Sequence, residues 1–534
     1  MMNRREVAFG AAAMGVATSL AYPKPVMAAG PRSGAAPVVR TTCGPVIGGR
    51  DDGVLVFKGV RYGADTGRRR FQAPLAPTPW TEPVEALAYG HSSPQRGDEA
   101  SQSEDCLFLN VWTPGLPSPG LSGGSDDAKR AVMVYIHGGA YSNGSGSSPS
   151  TDGTKLARRS DVVVVSLNHR LNVFGYGYLA RLASGFGVSG NAGQLDLILA
   201  LQWVRDNIAA FGGDPERIMV FGQSGGGAKI ATLMATPAAD GLFHRAATMS
   251  GQQVTASGPI NATKRTVTWL AAMGLSPEQA SQAATLPVEK LLEGMAAEDP
   301  VLGYGGLYFG PVMDDRVLSR HPFYPDAAPQ GLRIPMLIGN AHDETLAFMG
   351  GDPANAGLTW DTLPGRMGPG VMRIDISPET VIAEYRRMHP EMTPDQVLIA
   401  ATTAGRSWRG AVIEAEERAK AGHPAWVYQQ TYPFTTANGR MGAGHGSDIA
   451  LVFDTVRPGS ARAEVGAVVD QVSGAFAAFA KTGDPNHPGL PSWDKYDLPR
   501  RQTMVFDVNS HMQDDPRGDE RAFFSRVPYV QPGT

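Results

Sequence analysis

Three stretches of the chain are apolar without interruption: Val132-Met133-Val134-Tyr135-Ile136, Val162-Val163-Val164-Val165-Ser166-Leu167 and, after a leading charge, Arg217-Ile218-Met219-Val220-Phe221. A strand with one wet face alternates apolar and polar residues. Runs that do not alternate predict strands buried on both faces, as in a parallel sheet. Between the second and third runs, Leu195, Ile198, Leu199, Leu201, Trp203, Val204 and Ile208 recur at helical spacing and predict a helix over 194–211. Asp214-Pro215 then breaks the chain before the next strand. Residues 335–338 and 426–429 read as further strands, and 228–236 as a helix. Strand, helix, strand over these distances predicts an α/β class with a mostly parallel central sheet and helices on both faces. The Gly-, Ser- and Pro-rich stretches 114–127 and 350–370 read as surface loops, and no internal repeat is visible.

Composition narrows this picture. The 534 residues are 42 % hydrophobic and 18 % charged, which supplies a large core and excludes a disordered chain. At ~150 residues per domain the length alone suggests three or four domains. A formal net charge of −4 leaves no basic excess to neutralise phosphates, so no nucleic-acid partner is expected. Two cysteines, Cys43 and Cys106, are too few for a disulfide scaffold or a four-cysteine zinc site. No P-loop, H-E-x-x-H or dinucleotide fingerprint occurs, so neither a cofactor nor a metal is expected.

Near the N-terminus, Asn3-Arg4-Arg5-Glu6-Val7 sets paired arginines ahead of an Ala- and Gly-rich stretch. Val26-Met27-Ala28 then offers small residues around a cleavage point. The segment is similar to a bacterial twin-arginine signal peptide, with Val7 where Phe is commonest. About 16 apolar residues fall short of the ~20 that span a bilayer. Residues 1–28 are therefore expected to be an export signal, and the rest a periplasmic or secreted chain with no membrane segment.

The strongest chemical signal is Gly222-Gln223-Ser224-Gly225-Gly226, a G-x-S-x-G pentapeptide directly after a predicted strand. A nucleophilic serine has to project from a sharp, strained strand-to-helix turn, and flanking glycines let neighbouring backbone approach. His137-Gly138-Gly139-Ala140-Tyr141, at the end of another strand, supplies a loop with little side chain to cover its N–H groups. Such donors stabilise a tetrahedral oxyanion by ~3–4 kcal/mol each. The N–H of Gly225, the residue after the serine, would be a third donor.

A serine hydroxyl needs a base, and the base needs an orienting carboxylate. In this kind of fold the chain order is serine, acid, histidine. Of eight histidines downstream, His445 stands out by its setting in Gly442-Ala443-Gly444-His445-Gly446. For the acid, Asp343 and Glu344 both follow the strand at 335–338, and the pattern does not separate them. Tyr141, Phe174, Tyr308 and Trp408 are candidates to line an apolar pocket.

Taken together the chain resembles a type-B carboxylesterase, of the para-nitrobenzyl-esterase-like branch of the cholinesterase family. The resemblance rests on motifs in one order along nearly the whole chain. They are Phe57-Lys58-Gly59-Val60-Arg61-Tyr62-Gly63, Ser103-Glu104-Asp105-Cys106-Leu107, Asn168-His169-Arg170-Leu171-Asn172 and Gly190-Asn191-Ala192-Gly193-Gln194-Leu195-Asp196. The serine turn and the Glu344 and His445 segments complete the series. The resemblance implies an α/β-hydrolase fold in one domain over residues 29–534, against the length prior. It implies Ser224 as nucleophile, Glu344 rather than Asp343 as acid, and His445 as base. Gly139, Ala140 and Gly225 become the oxyanion donors, and Ser250 a support for the acid. The implied activity is hydrolysis of apolar, aryl or alkyl esters through an acyl-enzyme. Hydrolysis of amides, carbamates or lactones by the same machinery is the alternative, with a non-catalytic binding relative behind it.

Several positions depart from the family pattern. Gln223 stands where a Glu is usual beside the nucleophile, Gly225 where Ala is usual, and Lys229 where Ser is usual. Ser93 occupies the place of the cysteine that would pair with Cys106, so that disulfide is expected to be absent.

Overall fold

The computed structural model describes residues 36–117, 129–436, 439–531 and 533–534. The expected export signal, residues 1–28, and most of the 114–127 stretch lie outside them.

Among the described residues eleven strands form one sheet: β1 Gly49–Asp51, β2 Val54–Arg61, β3 Phe108–Thr113, β4 Arg130–Ile136, β5 Val163–Leu167, β6 Gly213–Gln223, β7 Arg245–Met249, β8 Met336–Ala341, β9 Trp426–Gln430, β10 Gln502–Phe506 and β11 His511–Asp514. Their spatial order is β11-β10-β9-β8-β7-β6-β4-β5-β3-β2-β1. From β5 through β10 every neighbouring pair is parallel. The pairs at the two ends are antiparallel. Five helices matter below: α1 Ala192–Asn207, α2 Gly225–Leu233, α3 Arg409–Lys420, α4 Ser447–Phe453 and α5 Val465–Thr482.

The uninterrupted apolar runs are explained by the two cores. Val132, Val134 and Ile136 of β4 pack on one face with Val163, Val165 and Leu167 of β5 and with Leu197, Leu201 and Val204 of α1. Met133 and Tyr135 point the other way, against Val164, Phe221, Phe453 of α4 and Phe476 and Phe479 of α5. Both faces of the central strands are dry along these runs, so apolar residues fill both sides.

Boundaries differ from the pattern in instructive ways. Asp214-Pro215 lies inside β6 rather than before it: Gly213 pairs with Arg130, and a register shift between Arg130 and Val132 accommodates the proline. The helix expected over 194–211 ends at Asn207 and continues as a 3₁₀ turn to Phe211, closed by Gly212 at φ 83°. α2 starts at Gly225, three residues before the predicted 228, for a reason that belongs to the site.

Two further apolar clusters are entered from the C-terminal ends of strands. One holds Tyr141, Phe174, Trp269 and Phe309, beyond β4 and β5. The other holds Leu346, Leu363, Tyr385 and Phe524, beyond β8. The crevice at these strand ends is where open α/β sheets place their ligands. Among the described residues no helix is long and apolar enough to cross a membrane.

Candidate active site

Ser224 sits between the last residue of β6 and the first of α2, with φ 57° and ψ −127°. Such a backbone costs on the order of 1–3 kcal/mol for a non-glycine residue and persists only where its surroundings fix it. Ser224 N–H donates to Met249 O at 2.8 Å, and Ala228 N–H donates to Ser224 O at 3.1 Å. The three glycines after it are packed against other backbone. A Cβ at Gly225 would lie 2.0 Å from Ala140 O, and one at Gly226 would lie 2.0 Å from Ile136 O. The helix therefore begins on residues that are poor helix formers, because only glycine lets it approach the β4 end so closely.

That contact brings the 137–141 loop onto the N-terminus of α2. Gly139 and Ala140 both have left-handed backbone, at φ 81° and 52°, and the N–H groups of Ser142 and Asn143 both donate to Gly139 O at 3.1 Å. Among the described residues, the N–H groups of Gly139, Ala140 and Gly225 donate no hydrogen bond. Lys229, one helical turn beyond Gly225, is fully buried beneath the loop. Its Nζ donates to His137 O at 3.1 Å and lies 5.7 Å from the Tyr141 ring centroid, so it touches both ends of the loop. Burial pushes its pKa down to about 7. Burial and the Lys229 charge hold the neighbouring His137 down to about 3. The His137 and His169 rings lie 4.7 Å apart, and burial keeps His169 well below the ordinary histidine range.

Glu344 and His445, the expected acid and base, come from loops beyond β8 and β9. Glu344 is fully buried. One carboxylate oxygen accepts from Ala341 N–H at 2.9 Å and Asn340 Nδ2 at 3.2 Å. The other meets His445 Nδ1 in a short hydrogen bond. Burial alone would raise this carboxyl, but the His445 charge and the bonds it accepts hold it below the usual range. Ser250, itself at φ 51°, lies beside it and helps keep it ionised, although its Oγ makes no bond of standard geometry. Asp343 is used elsewhere: it pairs with His342 at 2.8 Å and accepts from Ala443 N–H at 3.0 Å, bracing the His445 loop. Asp448, also buried, accepts from Tyr428 OH at 2.8 Å, and burial pushes it up to about 6.

The Glu344 carboxylate can only accept, so His445 Nδ1 carries a proton, and Nε2 is left to face the other side. Gln223 Nε2 lies 3.1 Å from His445 Nε2. The amide beside the serine thus occupies His445 Nε2, and Ser224 and His445 share no hydrogen bond. The Phe348 ring, four residues after Glu344, stands 5.0 Å from the imidazole.

The candidate pocket residues separate. Tyr141 donates to Gln253 Oε1 at 2.9 Å, and its ring lies 6.5 Å from Tyr308; Phe174 belongs to the same cluster. Trp408 lies apart, near Arg517 and beside a small cavity it shares with Asn340, Val427 and Arg501.

The carboxylesterase family model matches residues 35–524. The chain belongs to the carboxylesterase family. Its relatives include a para-nitrobenzyl esterase of Bacillus subtilis, 33 % identical over 91 % of this chain and 97 % of that one. Another is a phenmedipham hydrolase of Pseudarthrobacter oxydans, 31 % identical over 86 % and 93 % of the two chains. Among solved structures, a carboxylesterase of Geobacillus stearothermophilus superposes with a TM-score of 0.79 at 35 % identity, covering 91 % of this chain and 99 % of that one. The sheet and its surrounding helices are accordingly an α/β-hydrolase fold.

The carboxylesterase motifs outside the site have structural uses of their own. Arg170 and Asp196, from two of them, form a buried two-pronged ion pair at 2.6 and 2.8 Å that ties the end of β5 to α1. Arg61 and Asp105 pair in the same way at 2.6 and 2.7 Å. Both cysteines of this carboxylesterase are free, and Cys106 is buried.

Proposed function

We propose that this carboxylesterase hydrolyses esters through an acyl-enzyme on Ser224. The observation that carries the reading is the buried Glu344 carboxylate bonded to His445 Nδ1, which turns the free Nε2 toward the end of β6, where the serine turn begins. On substrate binding, His445 Nε2 exchanges the Gln223 amide for the Ser224 hydroxyl. Nε2 takes the hydroxyl proton as Oγ forms a bond to the ester carbonyl carbon. The oxyanion accepts from the N–H groups of Gly139, Ala140 and Gly225. Collapse breaks the carbon–oxygen bond to the alcohol, which leaves with the proton from Nε2. Water repeats the sequence on the acyl-enzyme and releases the acid. Glu344 holds the imidazole and stabilises its charged form. Ser250 supports Glu344, and Tyr141, Phe174 and Tyr308 wall the apolar side of the site.

The names of the relatives, a para-nitrobenzyl esterase and a phenmedipham hydrolase, support aryl-containing substrates as a first panel. The family match over 35–524 and a sheet running from Gly49 to Asp514 support one catalytic domain over 29–534. Export by residues 1–28 completes the reading. A fluorescent aryl phosphonate tests the nucleophile: one label per chain, on the peptide containing Ser224 and lost in Ser224→Ala, is expected. Hydrolysis of an aryl ester by a chain that resists labelling, or labelling elsewhere, would overturn it.

A further inference from the structure

Most buried arginines of this protein have a carboxylate. Arg170 pairs with Asp196, Arg265 with Asp299 and Arg517 with Glu520, all at 2.6–2.7 Å. Two half-buried arginines beside the candidate site, Arg373 and Arg406, have none. Arg406 belongs to a π-helical turn, Thr403–Trp408, of the kind concentrated at functional sites. The turn is anchored next to Glu344, since Thr345 N–H donates to Thr403 Oγ1 at 3.3 Å. Arg406 Cζ lies 5.6 Å from the Phe348 ring centroid, and that ring is 5.0 Å from the His445 ring. One aromatic side chain therefore separates the guanidinium from the imidazole. On the other flank Ser407 O accepts from the Gln252 amide at 2.8 Å, with that amide oriented to satisfy both its ends. Gly251, the residue before Gln252, is pressed against Ser224 O.

Arg373 closes the short helix Pro369–Met372 in a left-handed conformation, φ 56°. Ile374 packs on Gly405: a Cβ there would lie 3.0 Å from Ile374 Cδ1, so the segments carrying the two arginines are in contact. Arg373 Nε is buried with no hydrogen-bond partner. The groups whose charge reaches Arg373 are tyrosines: Tyr308, Tyr304 and Tyr529. Tyr308 leads back to Tyr141 at the end of the oxyanion loop. Among the described residues neither guanidinium makes an ion pair.

Two half-buried cations near enough for one charge to act on the other are unfavourable unless an anion joins them. Burial, reinforced by the charge of Arg373, depresses Arg406 to about 9. Glu344, the carboxylate whose charge reaches Arg406, is committed to His445 and the β8 end. A guanidinium fork matches a carboxylate in shape and charge.

We infer that Arg373 and Arg406 form an anion subsite beside the nucleophile, selecting esters that carry a carboxylate elsewhere in the molecule. The inference rests on the ester-hydrolase reading and names its substrate class.

Two matched pairs test it. Ethyl hydrogen adipate against its neutral carboxamide analogue places the charge on the acyl part. 4-Carboxyphenyl acetate against 4-carbamoylphenyl acetate places it on the alcohol part. In one pair the wild-type kcat/KM should favour the carboxylate by about tenfold, the scale of one charge-assisted hydrogen bond, and identify the side that faces the arginines. The preference should shrink as salt is raised. It should fall several-fold in Arg406→Gln and in Arg373→Gln, and be partly kept in Arg406→Lys. Hydrolysis of the neutral esters with no carboxylate preference in either pair overturns the subsite and leaves the ester-hydrolase reading standing. If no ester of either kind is turned over, that reading fails and the subsite falls with it.

Discussion

On the nucleophile side, backbone is pressed against backbone: a Cβ at Gly226 would fall 2.0 Å from Ile136 O. On the acid–base side, a Cβ at Gly444, next to His445, would meet nothing closer than Ala347 N at 3.5 Å. The first half is fixed by close approach of a strand end, a loop and a helix end. The second is held by side-chain bonds from Glu344 and Asp343 to a loop with room around it. Under the proposed mechanism, rigidity in the first half would keep the Gly139, Ala140 and Gly225 N–H groups in place without a substrate, and slack in the second would let His445 exchange the Gln223 amide for the Ser224 hydroxyl.

The largest expected effect asks whether the two halves work as one. Ser224→Ala and His445→Ala should each lower kcat on an aryl acetate by on the order of 10⁶, with little added loss in the double variant. Glu344→Gln should lower kcat by about 10⁴, because it orients the base rather than reacting. Additive losses would mean that the halves act independently.

The glycines sharpen the same contrast. Gly226→Ala should destabilise the fold by about 1–3 kcal/mol, since strand backbone has to move. Gly444→Ala should stay within about 0.5 kcal/mol. Urea unfolding of the two variants measures both, and equal losses would remove the asymmetry.

Lys229 gives a smaller, pH-dependent test. Its folded pKa of about 7 lies below the ~10.4 of an unfolded lysine. Between those values the unfolded chain holds the extra proton. Burial is therefore most unfavourable below pH 7, and its penalty fades as pH climbs toward 10. Wild type should gain stability relative to Lys229→Met across that window, followed by urea midpoints at fixed ionic strength. A difference that does not change with pH would mean that Lys229 stays charged under the loop.

The contrast also explains how much of the molecule was legible in its sequence. The central strands were readable because burial on both faces leaves unbroken apolar runs. The serine turn was readable because close backbone approach demands glycine. The acid was not settled by its residues: Asp343 and Glu344 are adjacent in sequence, and only the three-dimensional path brings one to His445 while the other braces the loop. Family resemblance made that choice, and in the structure it is the Glu344 carboxylate that meets His445 Nδ1. Arg373 and Arg406 gave no signal, since an unpaired arginine looks like any other until its neighbours are known. Lys229 stood out as a departure, but its contacts with both ends of the oxyanion loop depend on the helix starting early at Gly225.

Cys106 lies wholly inside the molecule, and burial pushes its thiol far up. A thiol so reluctant to ionise is a poor target for oxidants and for exchange with other sulfurs. Cys106 in this setting should stay reduced whether its surroundings are reducing or oxidising.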